Sequence, residues 1–199
     1  MSYELLNTIG TIGTFLVITA TAVAAIVQLR HLANNNQISV LNELRQTYEN
    51  EHFQSARSFV RSEITAHIND KSFRHQLHNP AERSTENRAA VTKMGTVANV
   101  YEGMGALVRT GMIDPRLVFQ LWGSGIAADW AMLAPYTAMM RARKGRQIFE
   151  HFEYLTVLAQ DWLAANPDGS YPKGMRRIEL KDEWLETAPA EGAISAGGG

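Results

Sequence analysis

Glu150, His151 and Glu153 are the nearest approach to an acid–base site in the sequence. Two carboxylates beside an imidazole support proton transfer if they line a dry cleft. Phe149, Phe152 and Tyr154 alternate with them, however, and at helical spacing the aromatics read as core and the charges as its rim. Glu49 and His52 have the Glu-x-x-His spacing of di-iron bundles. That site requires a second such pair and two more inward glutamates, and this chain offers one pair. His75 and His78, with Glu63 or His67, approach a zinc set, but Lys71 and Arg74 beside them oppose a dication, so they read as a solvated polar face. No catalytic, cofactor-binding or metal residue is assigned, and no cofactor is expected.

Other residues invite roles in packing and surface recognition. Asp129, inside Ala127-Ala128-Asp129-Trp130, is expected to be buried and paired with an arginine such as Arg109 or Arg116. Gly103-Met104-Gly105 falls in the middle of a helix, not between a strand and a helix, so it reads as close helix packing and not as a phosphate loop. Arg141, Arg143, Lys144 and Arg146 form the densest basic patch. They are possible contacts for anionic lipid headgroups, each worth about 1 kcal/mol at a membrane surface, or cations complementing a helix carboxyl end.

The elements that must position these residues begin with an apolar run. Thr8 to Leu29 contains no charged side chain, and its mean hydropathy over Ile9–Val27 is roughly 2. As a helix it reaches about 33 Å, enough for a hydrocarbon core of about 30 Å. Its threonines can return their hydroxyl protons to backbone carbonyls. A cleaved signal peptide would use Ala22-Val23-Ala24, but the flank before the run carries Glu4 and no Lys or Arg, and the apolar run continues past that site. The reading is a transmembrane helix over 8–29, with a short extracytoplasmic tail at 1–7. Arg30, His31 and Arg45 on the far side place the rest in the cytoplasm by the positive-inside bias. Within the span Gly10, Thr14, Val17, Thr21, Ala24 and Gln28 make a stripe of mostly small or weakly polar residues through which helices could associate.

Beyond the span no Gly or Pro occurs until Pro80, which favours long helix, with Asn34-Asn35-Asn36 as its weak point. Residues 30–69 read as a stalk and first bundle helix, with Leu41, Leu44, Tyr48, Ala56, Val60 and Ile64 on one stripe. Residues 70–165 read as a helical bundle. A helix capped by Ser84 or Thr85 ends at Gly111. The next starts at Asp114-Pro115 and is interrupted at Gly123-Ser124-Gly125 and near Pro135. The last runs from about Arg146 to Ala165. Residues 166–199 are expected to form a flexible tail apart from packing of Trp184 and Leu185. No segment alternates apolar and polar residues, so the fold class is all-α: one transmembrane helix leading into a bundle of about five helices.

Charge and composition limit the partners. The 19 Lys+Arg against 20 Asp+Glu give no basic excess for nucleic acid, and zero cysteines exclude a disulfide scaffold or thiolate chemistry.

Gln28-Leu29-Arg30-His31-Leu32 followed by Asn36-Gln37 resembles a family of uncharacterised bacterial proteins, catalogued as a domain of unknown function. The likeness continues through Tyr101-Glu102, Leu107-Val108-Arg109, Gly111 and Ile113-Asp114. Trp122, Trp130 with Pro135, Phe149-Glu150 and Phe152-Glu153-x-Leu155 complete it, so that it spans about residues 14 to 163. The resemblance implies a single-span membrane protein with a helical cytosolic domain, and it brings no functional residues.

The expected function is that of a non-catalytic interaction, scaffold or assembly protein of the bacterial inner membrane. Its expected partners are the lipid bilayer and either further copies of itself or a membrane-complex protein. An oligomeric channel or membrane-perturbing effector is the alternative, and a membrane-tethered hydrolase the third reading.

Overall fold

The computed structural model describes residues 3–172 and 174–178, and every regular element among them is helical. Seven α-helices and one short 3₁₀ helix follow in chain order: α1 (Tyr3–Glu49), α2 (Glu51–Ser62), α3 (Ile64–Asn69), α4 (Lys71–His78), the 3₁₀ turn Pro80–Glu82, α5 (Thr85–Arg109), α6 (Pro115–Lys144) and α7 (Glu150–Ala165). Trp184 and Leu185, assigned to packing in the tail, lie outside the described residues.

The total is eight helices where about five were expected, and the difference comes from the segment after the apolar run. The α1 backbone continues through Asn34–Asn36 and stops at Asn50, whose extended backbone (ψ 134°) lets its side chain accept from the His52 N–H. Asp70 does the same for α4, accepting from the N–H groups of Ser72 and Phe73. The expected apolar stripe therefore survives across three helices: Leu44, Ala56, Val60 and Ile64 are buried, with Leu41 and Tyr48 packed beside them.

The long α6 corrects a second expectation. It runs for 30 residues without interruption at Gly123-Ser124-Gly125 or at Pro135. Pro135 removes one backbone hydrogen bond. The helix continues because Leu133, Tyr136, Thr137 and Met140 around it are buried in the core. Gly125 has a positive reason: a Cβ there would meet the Arg57 guanidinium and the Tyr48 hydroxyl. The start of α7 is also later than expected, at Glu150 and not near Arg146. Gly145 (φ 104°) and Phe149 (φ 56°) both adopt left-handed backbone conformations, so 145–149 is a turn.

The core lies where α5, α6 and α7 meet and α2 closes one side. Tyr101 stacks on Phe152 with ring centroids 4.8 Å apart, Trp130 meets Phe152 edge-on at 4.9 Å, and Phe53 meets Tyr101 at 6.0 Å. The carboxyl end of α1 joins this core through Tyr48, 5.1 Å from Phe53 and 5.4 Å from Trp122. Tyr154, expected in the core, is 40% exposed.

Among the described residues two helices are long and apolar enough to cross a membrane by length and composition: Gly10–Gln28 within α1, mean hydropathy 2.0, and α6, mean hydropathy 1.2. Almost half of the α6 window is buried within the protein, as befits a core helix, whereas none of the α1 window is. The segment beyond Gly169 is a separate unit. Its described residues make a local turn in which the Tyr171 hydroxyl donates to the Arg176 carbonyl at 2.9 Å and Arg177 stands over the Tyr171 ring.

Candidate functional site

Three polar constellations stand out in the bundle. The deepest surrounds Asp129, which is fully buried in the middle of α6. Arg57 Nε stands 2.5 Å from Oδ2, Arg61 Nε 2.7 Å from Oδ1, and the Tyr101 hydroxyl donates to Oδ2 at 2.7 Å. The burial expected of Asp129 is met, but its partners are not Arg109 or Arg116. Arg116 lies on the same helix roughly 20 Å away along the axis, and its Nε stands 3.5 Å from Asp114. Arg109, at the far end of α5, turns to α7. Burial favours a neutral Arg57, yet the hydrogen bond to Asp129 and the neighbouring acidic groups outweigh it and hold Arg57 above its ordinary value. Burial, reinforced by Asp129, pushes the Tyr101 hydroxyl far above the usual phenol range. The fully paired carboxylate joins α2, α5 and α6, which is a structural task.

The second constellation contains the expected acid–base cluster, reorganised. His151 Nδ1 is 3.1 Å from Glu102 Oε1 on α5, and Glu102 Oε2 accepts from the Phe152 N–H at 2.8 Å. Phe149 at the α7 amino end offers no side-chain cap, so a carboxylate from a neighbouring helix takes that place. Arg109 Nη1 lies 3.3 Å from His151 Nε2 and 3.8 Å from Glu150. This network assigns the ring proton to Nδ1. Nε2, the atom a general base would turn to a substrate, is opposed by a guanidinium. Glu153 points elsewhere, pairing with Arg141 at 2.7 Å. Glu150, His151 and Glu153 are therefore not brought together as one acid–base site.

The third constellation is a cavity of about 580 Å³ between α5, α6 and the 145–149 turn. Its lining includes Arg83, Arg143, Lys144, Tyr136, Glu102 and Phe149. The four basic residues read together from sequence are divided here. Arg141 is spent on structure: it donates to the carbonyls of Ile148 at 2.8 Å and Phe149 at 3.2 Å, and pairs with Glu153. Arg143 and Lys144 line the cavity, and Arg146 is exposed on the turn. Arg143 Nε is buried with no hydrogen-bond partner among the described residues. Burial and the nearby Arg143 lower Arg83 from its ordinary value, and burial raises the Tyr136 hydroxyl.

The remaining sequence candidates are dispersed. Glu49 closes α1 and pairs with Arg45 at 2.7 Å, whereas His52 is exposed on α2. His75 is 3.2 Å from Glu82, His67 lies between the rings of Phe59 and Phe73, and His78 and Glu63 are exposed. Among the described residues no three His, Asp or Glu side chains gather as a metal centre. Of the two glycines around Met104, Gly105 alone is in close contact: a Cβ there would overlap the His151 carbonyl, while one at Gly103 meets nothing within 4 Å. Gly10, Thr14, Val17, Thr21, Ala24 and Gln28 are all exposed on α1, with the Thr14 and Thr21 hydroxyls donating to the carbonyls of Gly10 and Val17 at 2.9 and 2.8 Å.

Arg57, Arg61, Arg83 and Tyr136 are not singled out by the sequence, and Glu102 enters there only through the family resemblance, without a role. Arg57 and Arg61 carry the one available signal: a four-residue spacing that puts two guanidinium groups on the same helix face.

These features define an all-helical protein in which a bare apolar helix leads into a bundle pinned by a buried carboxylate. The chain belongs to the family described as a domain of unknown function, DUF4760, whose family model matches residues 15–162. No curated protein and no solved structure matches it.

Proposed function

We propose that this chain is a membrane-anchored helical interaction protein of the bacterial inner membrane, its bundle in the cytoplasm and its span self-associating. The observation that carries the reading is the Gly10–Gln28 helix, with mean hydropathy 2.0 and none of its window buried within the protein. Ile12, Phe15, Leu16, Val17, Ile18, Val23 and Ile26 are each more than half exposed there. In water that surface is costly at roughly 25 cal/mol per Å², and a bilayer removes the cost. The threonine hydroxyls bonded back to their own helix make the segment compatible with hydrocarbon. The bundle presents paired and capped polar groups rather than a base facing a nucleophile, which favours binding over catalysis.

Topology is the first test. Single thiols introduced by Ser2→Cys and Ser62→Cys in this cysteine-free chain should react with a membrane-impermeant maleimide from opposite sides of intact cells, Ser62→Cys only after permeabilisation. Recovery of the full chain in the soluble fraction would end the anchored reading. Self-association is read by energy transfer between labelled chains in vesicles, which Gly10→Leu and Thr14→Leu should lower. A hydrolytic activity lost in His151→Ala would replace the interaction reading with an enzyme.

A further inference from the structure

The cavity between α5, α6 and the 145–149 turn gathers three basic side chains, Arg83, Arg143 and Lys144, around one carboxylate. Arg143 and Lys144 have no carboxylate partner among the described residues, and they share the cavity with Arg83. Arg83 does hydrogen-bond backbone, with Nε to the Gln76 carbonyl and Nη2 to the Leu77 carbonyl, both at 3.2 Å, so its position is fixed. The one carboxylate in the lining, Glu102, has both oxygens engaged, by His151 and by the Phe152 N–H.

Three further details mark a prepared site. Arg143 Nε is buried and has no hydrogen-bond partner among the described residues, so this guanidinium is held at the cavity without full hydrogen bonding. Phe149, in the cavity wall, holds a left-handed backbone at φ 56° and is kept there by Arg141 on its carbonyl. Strain of that sort costs about 1–3 kcal/mol and persists where the surroundings impose it. Gly95 faces the Tyr136 hydroxyl, 4.0 Å from where a Cβ would stand, and so leaves the space open. The lining is mixed, with the polar Thr92, Thr96 and Tyr136 beside the apolar Val91, Met140 and Ile148. Its size is within the range of small-molecule pockets.

We propose that this cavity binds a small molecule bearing a phosphate group, held among Arg83, Arg143 and Lys144, with an apolar portion against Met140 and Ile148. Guanidinium groups suit the several oxygens of a phosphate, and the ammonium of Lys144 supplies charge at the mouth. The site belongs to the bundle; binding of a soluble phosphate compound there is independent of the membrane reading, whereas a lipid headgroup as ligand rests on it.

The test uses the full chain in an uncharged detergent. Inorganic pyrophosphate is titrated calorimetrically, and the chain in phosphatidylcholine nanodiscs is compared with the chain in nanodiscs containing phosphatidylglycerol. Saturable binding of pyrophosphate identifies a soluble phosphate compound as the source. Protection against thermal unfolding that requires phosphatidylglycerol identifies a lipid headgroup. In whichever arm is positive, Lys144→Gln should weaken the response about tenfold. Gly95→Leu, which blocks the space without changing charge, should abolish it. Arg146→Gln, removing an exposed charge on the same turn, should leave it within about twofold. The proposal is overturned if neither arm saturates, if Gly95→Leu binds normally, or if Arg146→Gln and Lys144→Gln weaken binding equally, which would mean bulk charge attraction.

Discussion

Tyr101 on α5 donates its hydroxyl to Oδ2 of Asp129 on α6 at 2.7 Å, and neither residue has measurable solvent exposure. Arg57 and Arg61 complete the shell of the carboxylate, so one side chain joins three helices. Removing one member of such a network strands the others. Asp129→Asn leaves Arg57, only 14% exposed, without its counter-charge, and should cost about 3–5 kcal/mol. For a chain of this length the unfolding midpoint should fall by roughly 6 °C or more, measured by circular dichroism in detergent. A midpoint within a degree of the parent would mean that the network does not stabilise the bundle.

The same hydroxyl gives a pH signature. Burial raises Tyr101 and Tyr136 above the ordinary phenol value of 10.0. Above about pH 10 the unfolded chain releases these protons while the folded chain keeps them, so stability falls as pH rises. The contribution is complete below pH 10 and is lost progressively above it. Tyr101→Phe should start less stable at pH 7 and show a shallower decline between pH 10 and 11.5 in thermal melts. Equal slopes for parent and variant would exclude Tyr101 as a source of the alkaline loss.

Much of the fold is legible in the sequence because its signals are local. Ser84 and Asp114 cap the helices that follow them, and Pro115 stands at a first helical position. The continuity of α6 is not legible, because local preference at Gly123, Gly125 and Pro135 opposes helix while packing around Leu133 and Tyr136 sustains it. The site divides the same way. The charge of Arg141, Arg143, Lys144 and Arg146 is visible as a run. Which of them turn inward depends on Gly145 and Phe149 folding the chain back, and on Arg83 arriving from another segment. The burial of Asp129 follows from its apolar neighbours, but Arg57 and Arg61 lie about 70 residues earlier, at a distance that no helical periodicity can relate.

Glu102 replaces the missing cap of α7, and its removal should be felt at that helix end. Glu102→Ala deprives the Phe152 N–H and His151 Nδ1 of their acceptor and should cost about 1–2 kcal/mol. Glu102→Gln keeps an acceptor oxygen and should cost less. Amide hydrogen exchange should show faster exchange at Phe152 in the alanine variant, with the α2 amides unchanged. Uniform acceleration across the bundle would instead mean that Glu102 supports the whole core.

The two glycines flanking Met104 give a paired test of how α5 meets α7. They lie on one helix, two residues apart, and share the same backbone conformation. Their surroundings differ: a Cβ at Gly105 would overlap the His151 carbonyl, and one at Gly103 would meet nothing within 4 Å. Backbone cannot step aside as a flexible side chain can, so Gly105→Ala must push α7 away from α5. Overpacking of that kind costs about 1–3 kcal/mol, more than the roughly 1 kcal/mol of helix propensity that alanine returns. Gly103→Ala keeps the propensity gain without a clash and should raise the unfolding midpoint by roughly 2–4 °C. Gly105→Ala should lower it and loosen the turn that carries Phe149. A parent-like midpoint for Gly105→Ala would mean that α5 and α7 do not approach as closely as their backbones do here.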